Sequence, residues 1–231
     1  MHIPDGFLSP EVAASTAVVS AGVLACSLRR ADAALDDRRV PLVGVTGAFI
    51  FAAQMLNFPV AGGTSGHLLG AALAAILLGP WVACLVMAVV LTTQAFLFAD
   101  GGITALGANI LNMGVLGALG VGGLMLAARR VLGRGGIRSR ATLLAIAGAG
   151  AWLAVMVGAA AAALELGGSG TVPLGTALPA MLGVHAAIGI GEAVITVAAV
   201  SAVLATRPDL IAVADLRPEE IRRPAPAAVA S

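Results

Sequence analysis

The chain has 231 residues, of which 59% are hydrophobic and only 11% charged, with a mean hydropathy of +1.01. A soluble domain carries about 25% charged residues, so this composition excludes a soluble globular protein and requires a polytopic integral membrane protein. The net charge of +1 offers no electrostatic case for nucleic acid.

The first residues, MHIPDGFL, place a free α-amine, a backbone amide and the His2 imidazole within one dipeptide. For a divalent transition metal these form a tridentate chelator. Amine and amide nitrogens close a five-membered ring, amide and imidazole a six-membered one. An all-nitrogen planar set suits Ni(II) or Cu(II), and it leaves one position of the plane to be filled. The chelate requires Met1 to be retained, which the large second residue favours. Asp5 and Glu11 precede the first apolar run, so no cleavable signal pattern is expected.

About 20 predominantly apolar residues span a bilayer. On that measure seven spans are expected, at 10–28, 40–56, 67–79, 81–98, 103–126, 143–166 and 177–204. The third is too short to cross alone, and Gly79-Pro80-Trp81 should couple it tightly to the fourth. There is no lysine. The 13 arginines fall in the links after the first and fifth spans and in the tail after the seventh. An odd number of spans puts all three groups on one side, which the positive-inside bias makes cytoplasmic. The amino terminus is then outside. The expected fold is an all-α integral membrane protein of seven transmembrane helices with a cytoplasmic carboxyl terminus. Residues 1–205 form the membrane domain, and 206–231 are read as a short, flexible cytoplasmic tail.

His67 lies on the outer face in this topology, after the Gly62-Gly63-Thr64-Ser65-Gly66 run. Its neutral imidazole would complete the plane begun by Met1 and His2, although a lone histidine at a helix start is also ordinary interfacial packing. Metal-bound histidines usually donate the other ring nitrogen to a carboxylate, carbonyl or water. Asp5, Asn57, Ser65 and Asp100 are the outward-facing candidates for that supporting role. Gln94, Asn109 and Asn112 flank the 98–103 turn, where hydrogen-bonded helix glue and a functional role are equally open. His185 and Glu192 are seven residues apart and share a helical face; for His185 a structural role is favoured. Met55 and Met113 are read as core filling.

Ala13, Ala17, Ala21 and Ala25 repeat every four residues, as do Gly44, Ala48 and Ala52. Such rows let membrane helices approach closely, here from within the chain or from a partner. Cys26 and Cys84 lie far apart in apolar runs, and no disulfide is expected. No Gly-x-x-x-x-Gly-Lys loop is present, so energy for active transport would have to come from another chain.

Four blocks in order, MHIPDGFLSP, AAQMLNFPVAGGTSGHLLGAALAAILLGPW, QAFLFADGGITALGANILNMG and HAAIGIGEAVIT, resemble the CbiM/NikM family. These are the substrate-binding membrane subunits of energy-coupling-factor cobalt and nickel importers. The resemblance implies a non-enzymatic protein of a prokaryotic plasma membrane, tied to cobalt, nickel or cobalamin metabolism. It implies that the Met1 amine, the His2 amide and imidazole, and the His67 imidazole hold Co(II) or Ni(II) as transported substrate, with no organic cofactor. It also implies a transmembrane coupling subunit, two cytoplasmic ATPase subunits and, in many cases, a small accessory membrane subunit. Two alternatives stay open on the residues alone. Gly63-Thr64-Ser65-Gly66 resembles a rhomboid serine-protease motif, with His185 as base, and a passive metal channel would need no partners.

Overall fold

The computed structural model describes residues 1–31, 39–56, 58–60 and 64–212. The expected tail therefore lies almost wholly outside the described residues, and Asn57 lies outside them too. After an irregular amino-terminal segment come α1 (Pro10–Ala31) and α2 (Val40–Gln54), then a small antiparallel hairpin of β1 (Phe58–Val60) and β2 (Thr64–Gly66). Next come α3 (Ala71–Leu78), α4 (Pro80–Phe98) and α5 (Leu106–Asn109), which runs through a π-helical turn (Ile110–Val115) into α6 (Leu116–Arg138). Two long helices, α7 (Arg140–Gly168) and α8 (Leu174–Thr206), complete the bundle.

Among the described residues, five helical stretches are long and apolar enough to cross a membrane: α1, α4, the α5–α6 run, α7 and α8. The 15-residue α2 is a shorter apolar helix. The expected third span contracts to the eight residues of α3, about 12 Å at 1.5 Å per residue, and His67 stands outside it in extended chain. Every residue of α3 is buried. It is enclosed by protein, packed among α4, α6, α7 and α8, which satisfies a helix of uniform hydrophobicity without lipid contact. Gly79 ends α3 and begins α4, with Pro80 at the first position of α4, where its missing N–H is no loss. The coupling expected through Gly79-Pro80-Trp81 is thus a shared cap.

α7 and α8 pack along most of their length, and α6 lies against α7. Trp152 of α7 fits against Gly189 of α8, where a Cβ would come within 2.8 Å of the indole. The core is largely alanine, with Met87, Met113, Met125 and Met181 filling the irregular spaces; Met55, by contrast, is exposed. Both cysteines are free thiols.

α1 and α2 turn polar residues inward. Thr16, Ser20 and Ser27 are buried on α1, and Thr46 and Gln54 on α2, while Ala17, Ala21, Ala25, Gly44, Ala48 and Ala52 are exposed. The small-residue rows are therefore mostly not used within the chain. Ala17 makes one close internal contact: a Cβ at Gly107 would lie 2.4 Å from its Cα, and Ser20 Oγ donates to Gly107 O at 2.7 Å. This backbone-to-backbone approach fixes α1 against α5.

Gly107→Ala should therefore push α1 away and lower stability by about 1–3 kcal/mol, the usual penalty of overpacking. Thermal unfolding in detergent should fall by about 2–4 °C for each kcal/mol. Gly22→Ala is the control, since its Cβ would meet nothing within 4 Å; it should hold or raise stability, by up to about 1 kcal/mol.

Candidate metal centre

The amino-terminal segment folds inward, so that Met1 and Ile3 are 0% exposed and His2 4%. Burying irregular backbone requires partners for its polar groups, and the α4–α5 region supplies them. Ile3 N donates to Asn109 Oδ1 at 2.8 Å, and Asn109 Nδ2 donates back to Ile3 O at 3.1 Å. Gly102 N donates to the same carbonyl at 2.9 Å. Gly102 must be glycine for this approach, because a Cβ would lie 2.4 Å from Asp5 N. Nearer the rim, Thr104 N and Oγ1 both donate to Asp5 Oδ1, at 2.7 and 2.6 Å, and Thr171 Oγ1 donates to Phe7 O. The thioether of Met1 sits beside Gly158 of α7, where a Cβ would lie 3.5 Å from its sulfur.

This clamp brings the histidines together. The rings of His2 and His67 stack with centroids 4.5 Å apart and planes inclined by 29°. His67 Nδ1 lies 2.7 Å from Leu68 O; a carbonyl only accepts, so Nδ1 carries the hydrogen. The lone pair is then on Nε2, which is buried without a hydrogen-bond partner. His2 Nε2 lies 3.0 Å from Gln94 Oε1, which puts its lone pair on Nδ1, the nitrogen that closes a six-membered ring with the backbone amide. Nδ1 is 3.3 Å from Asp100 Oδ1. Two electron-rich atoms held this close form an arrangement that a cation relieves.

The electrostatics keep both donors neutral. Burial lowers the Met1 amine to about 5, with Asp100 opposing the shift. Burial and the neighbouring amine charge lower His2 to about 4, against Asp100 and Gln94. At neutral pH both nitrogens therefore present lone pairs, as ligation requires. Among the described residues no three His, Cys, Asp or Glu side chains gather into a metal-holding group.

His67 is positioned from α8. Glu192 Oε2 and Oε1 accept from Leu69 N and Gly70 N, both at 2.7 Å. Gly70 has φ +79°, and a Cβ there would strike Ile50 at 2.8 Å, so only glycine completes this turn. Gln54 Nε2 adds a bond to Leu69 O at 2.6 Å.

The expected supporting residues separate on this geometry. Asp100 stands beside His2. Asp5 does not; it fastens the segment to Thr104, whose hydrogen bonds hold its carboxyl below the usual range. Ser65 lies in β2. Gln94 and Asn109, left open between glue and function, contact His2 and Ile3. Asn112 donates to Glu165 Oε2 at 2.6 Å. Nothing in the residue pattern singles out Glu165, or assigns Glu192 to the His67 turn. A carboxylate accepting backbone amides leaves no mark beyond its presence in an apolar span.

Residues 2–210 match the family described as CbiM, cobalt uptake substrate-specific transmembrane region. A Haloquadratum walsbyi protein named for metal transport is 44% identical over 213 residues, covering 91% of this chain and 93% of that protein. The fused nickel transport protein NikMN of Rhodobacter capsulatus is 39% identical over 226 residues, covering 92% of this chain and 64% of its own length. A crystal structure described as a truncated transition metal transporter aligns with TM-score 0.79 at 34% identity, over 89% of this chain and 99% of that one. These likenesses give no support to a protease. With several apolar helices long enough to cross a membrane, the protein is a multi-pass membrane protein, and it belongs to the CbiM family of cobalt and nickel transport proteins.

Proposed function

We propose that this protein captures Co(II) or Ni(II) at the outer face of a prokaryotic plasma membrane, as the substrate-binding subunit of an energy-coupling-factor importer. The Met1 amine, the His2 amide and Nδ1, and His67 Nε2 hold the cation. The observation that carries this reading is the stacked, buried His2–His67 pair, with an unpartnered Nε2 on His67 and the chain terminus buried alongside. The relatives named for metal or nickel transport support it. On this reading the chain crosses seven times, the short α3 and the irregular segment leading into it together making one crossing, which puts the terminus outside and the arginine clusters within. ATPase and transmembrane coupling subunits, with an accessory subunit in some complexes, complete the importer. The exposed rows on α1 and α2, including Ala17, Ala21, Gly44, Ala48 and Ala52, suit close approach by a partner helix. Residues 1–205 form the working domain.

Binding of Co(II) and Ni(II) to purified protein tests the terminal chelate. One residue added before Met1 moves the amine out of the ring. Affinity should then fall by more than the roughly 10–100-fold that loss of an outer partner costs, and His67→Ala should act alike. Full-strength binding by the extended protein would sink the reading. Asn109→Leu removes both bonds to Ile3 and should weaken binding by about 10–100-fold, with the four donors themselves unaltered. Metal uptake into vesicles should stop when the ATPase subunits are omitted; uptake that persisted would identify a passive channel.

A further inference from the structure

His185 is fully buried in α8, and its ring repeats the pattern of His67. Nδ1 donates to Met181 O at 2.8 Å. The lone pair therefore lies on Nε2, which has no hydrogen-bond partner among the described residues. A buried acceptor left unsatisfied is costly, so the position calls for an explanation. An imidazole lone pair without a donor is a ligand for a borderline divalent cation, and a ring nitrogen fixed by a carbonyl on its far side is the usual form of a metal-binding histidine.

The surroundings place this ligand next to the candidate centre. The buried stripe of α8 runs Met181, His185, Gly189, Glu192 and Thr196. Glu192 fastens the Leu69 and Gly70 amides to that stripe, two turns or about 10 Å along the helix from His185. The segment carrying His67 is therefore docked on the face that carries His185.

We propose that His185 is a further metal-ligating residue, forming with His67 a two-imidazole transit site that accepts the divalent cation as the amino-terminal chelate lets go. The inference rests on the terminal-chelate reading above. Leaving a four-nitrogen plane in one step would strip every donor from the metal. Exchange of the Met1 and His2 nitrogens for His185 Nε2 and water keeps the His67 bond throughout. With no third His, Cys, Asp or Glu side chain gathered there among the described residues, the transit site binds more weakly than the chelate, as a release path requires. Beyond it, Glu192 and Thr196 continue a polar line along the buried face of α8 towards its carboxyl end.

The test uses Ni(II) as probe. The protein extended by one residue before Met1 should keep a residual site, at least about tenfold weaker than the native one, and H185Q in that background should abolish it. In the native-start protein, H185Q should retain tight binding, which also reports the fold, while Ni(II) uptake by the complete transporter falls at least about tenfold. His185→Cys, which still offers a ligand, should restore uptake where glutamine does not. Residual binding unchanged by H185Q, normal uptake by H185Q, or equal failure of the Cys and Gln variants overturns the transit site. Absence of tight Ni(II) binding by the unmutated protein would instead overturn the terminal chelate.

Discussion

Burying a chain terminus inside a helix bundle is the constraint on which the rest of the structure depends. The α-amine is charged in water and must be paired or neutral where no water reaches it. The first peptide groups have no helix to satisfy them. The protein meets both demands locally. Burial drives the Met1 amine towards its neutral form, with Asp100 as the nearby negative charge. Asn109 uses both ends of its amide to satisfy Ile3, and Gly102 supplies a second donor to the Ile3 carbonyl. Asn109 ends α5 directly before the π-helical turn, a distortion that recurs at functional sites.

The opposite wall follows the same logic. His67 stands on irregular backbone at the depth of buried helices, which is tolerated only inside protein. Glu192 takes two backbone amides with its two oxygens, and Gln54 takes a carbonyl. A buried carboxylate is costly unless its oxygens are occupied, and here both are. The two histidines are thus carried on loops, but each loop is bonded to a helix of the bundle. That is how a site built from a terminus and a turn acquires the rigidity of the helices around it.

Much of this was legible in the sequence, for physical reasons that can be named. Apolar runs and arginine-rich links mark helices and their ends because hydrophobic thickness and charge exclusion act on composition directly. The MHI start is legible because a terminal chelate needs no folding. His67 emerged from its place after a glycine-rich run. The rest depends on tertiary pairing. Helices overrun the apolar windows, α7 spanning Arg140–Gly168 where hydropathy marked 143–166, because flanking residues extend the hydrogen-bond ladder without adding hydrophobicity. The third span contracts because Gly70 and the Glu192 bonds hold its start in an irregular turn. Asp5 and Asp100 looked equivalent as outward carboxylates. Only the Thr104 latch and the fold of the segment show that one grips the rim and the other faces His2.

The dependence on chain position follows from how the segment is held at both ends. The start of α1 is set by the contact of Ala17 with Gly107 and by the bond from Ser20. Two residues in from the terminus, Ile3 is set by Asn109 and Gly102, and the Asp5–Gly6 turn between them is latched by Thr104. No slack remains between these anchors to absorb an inserted residue. Beyond Ile3, Met1 and His2 are enclosed by Gly158, Gln94, Asp100 and the His67 ring. On the proposed chelate, the anchors that would make the terminus a rigid donor would also make its length a condition of binding.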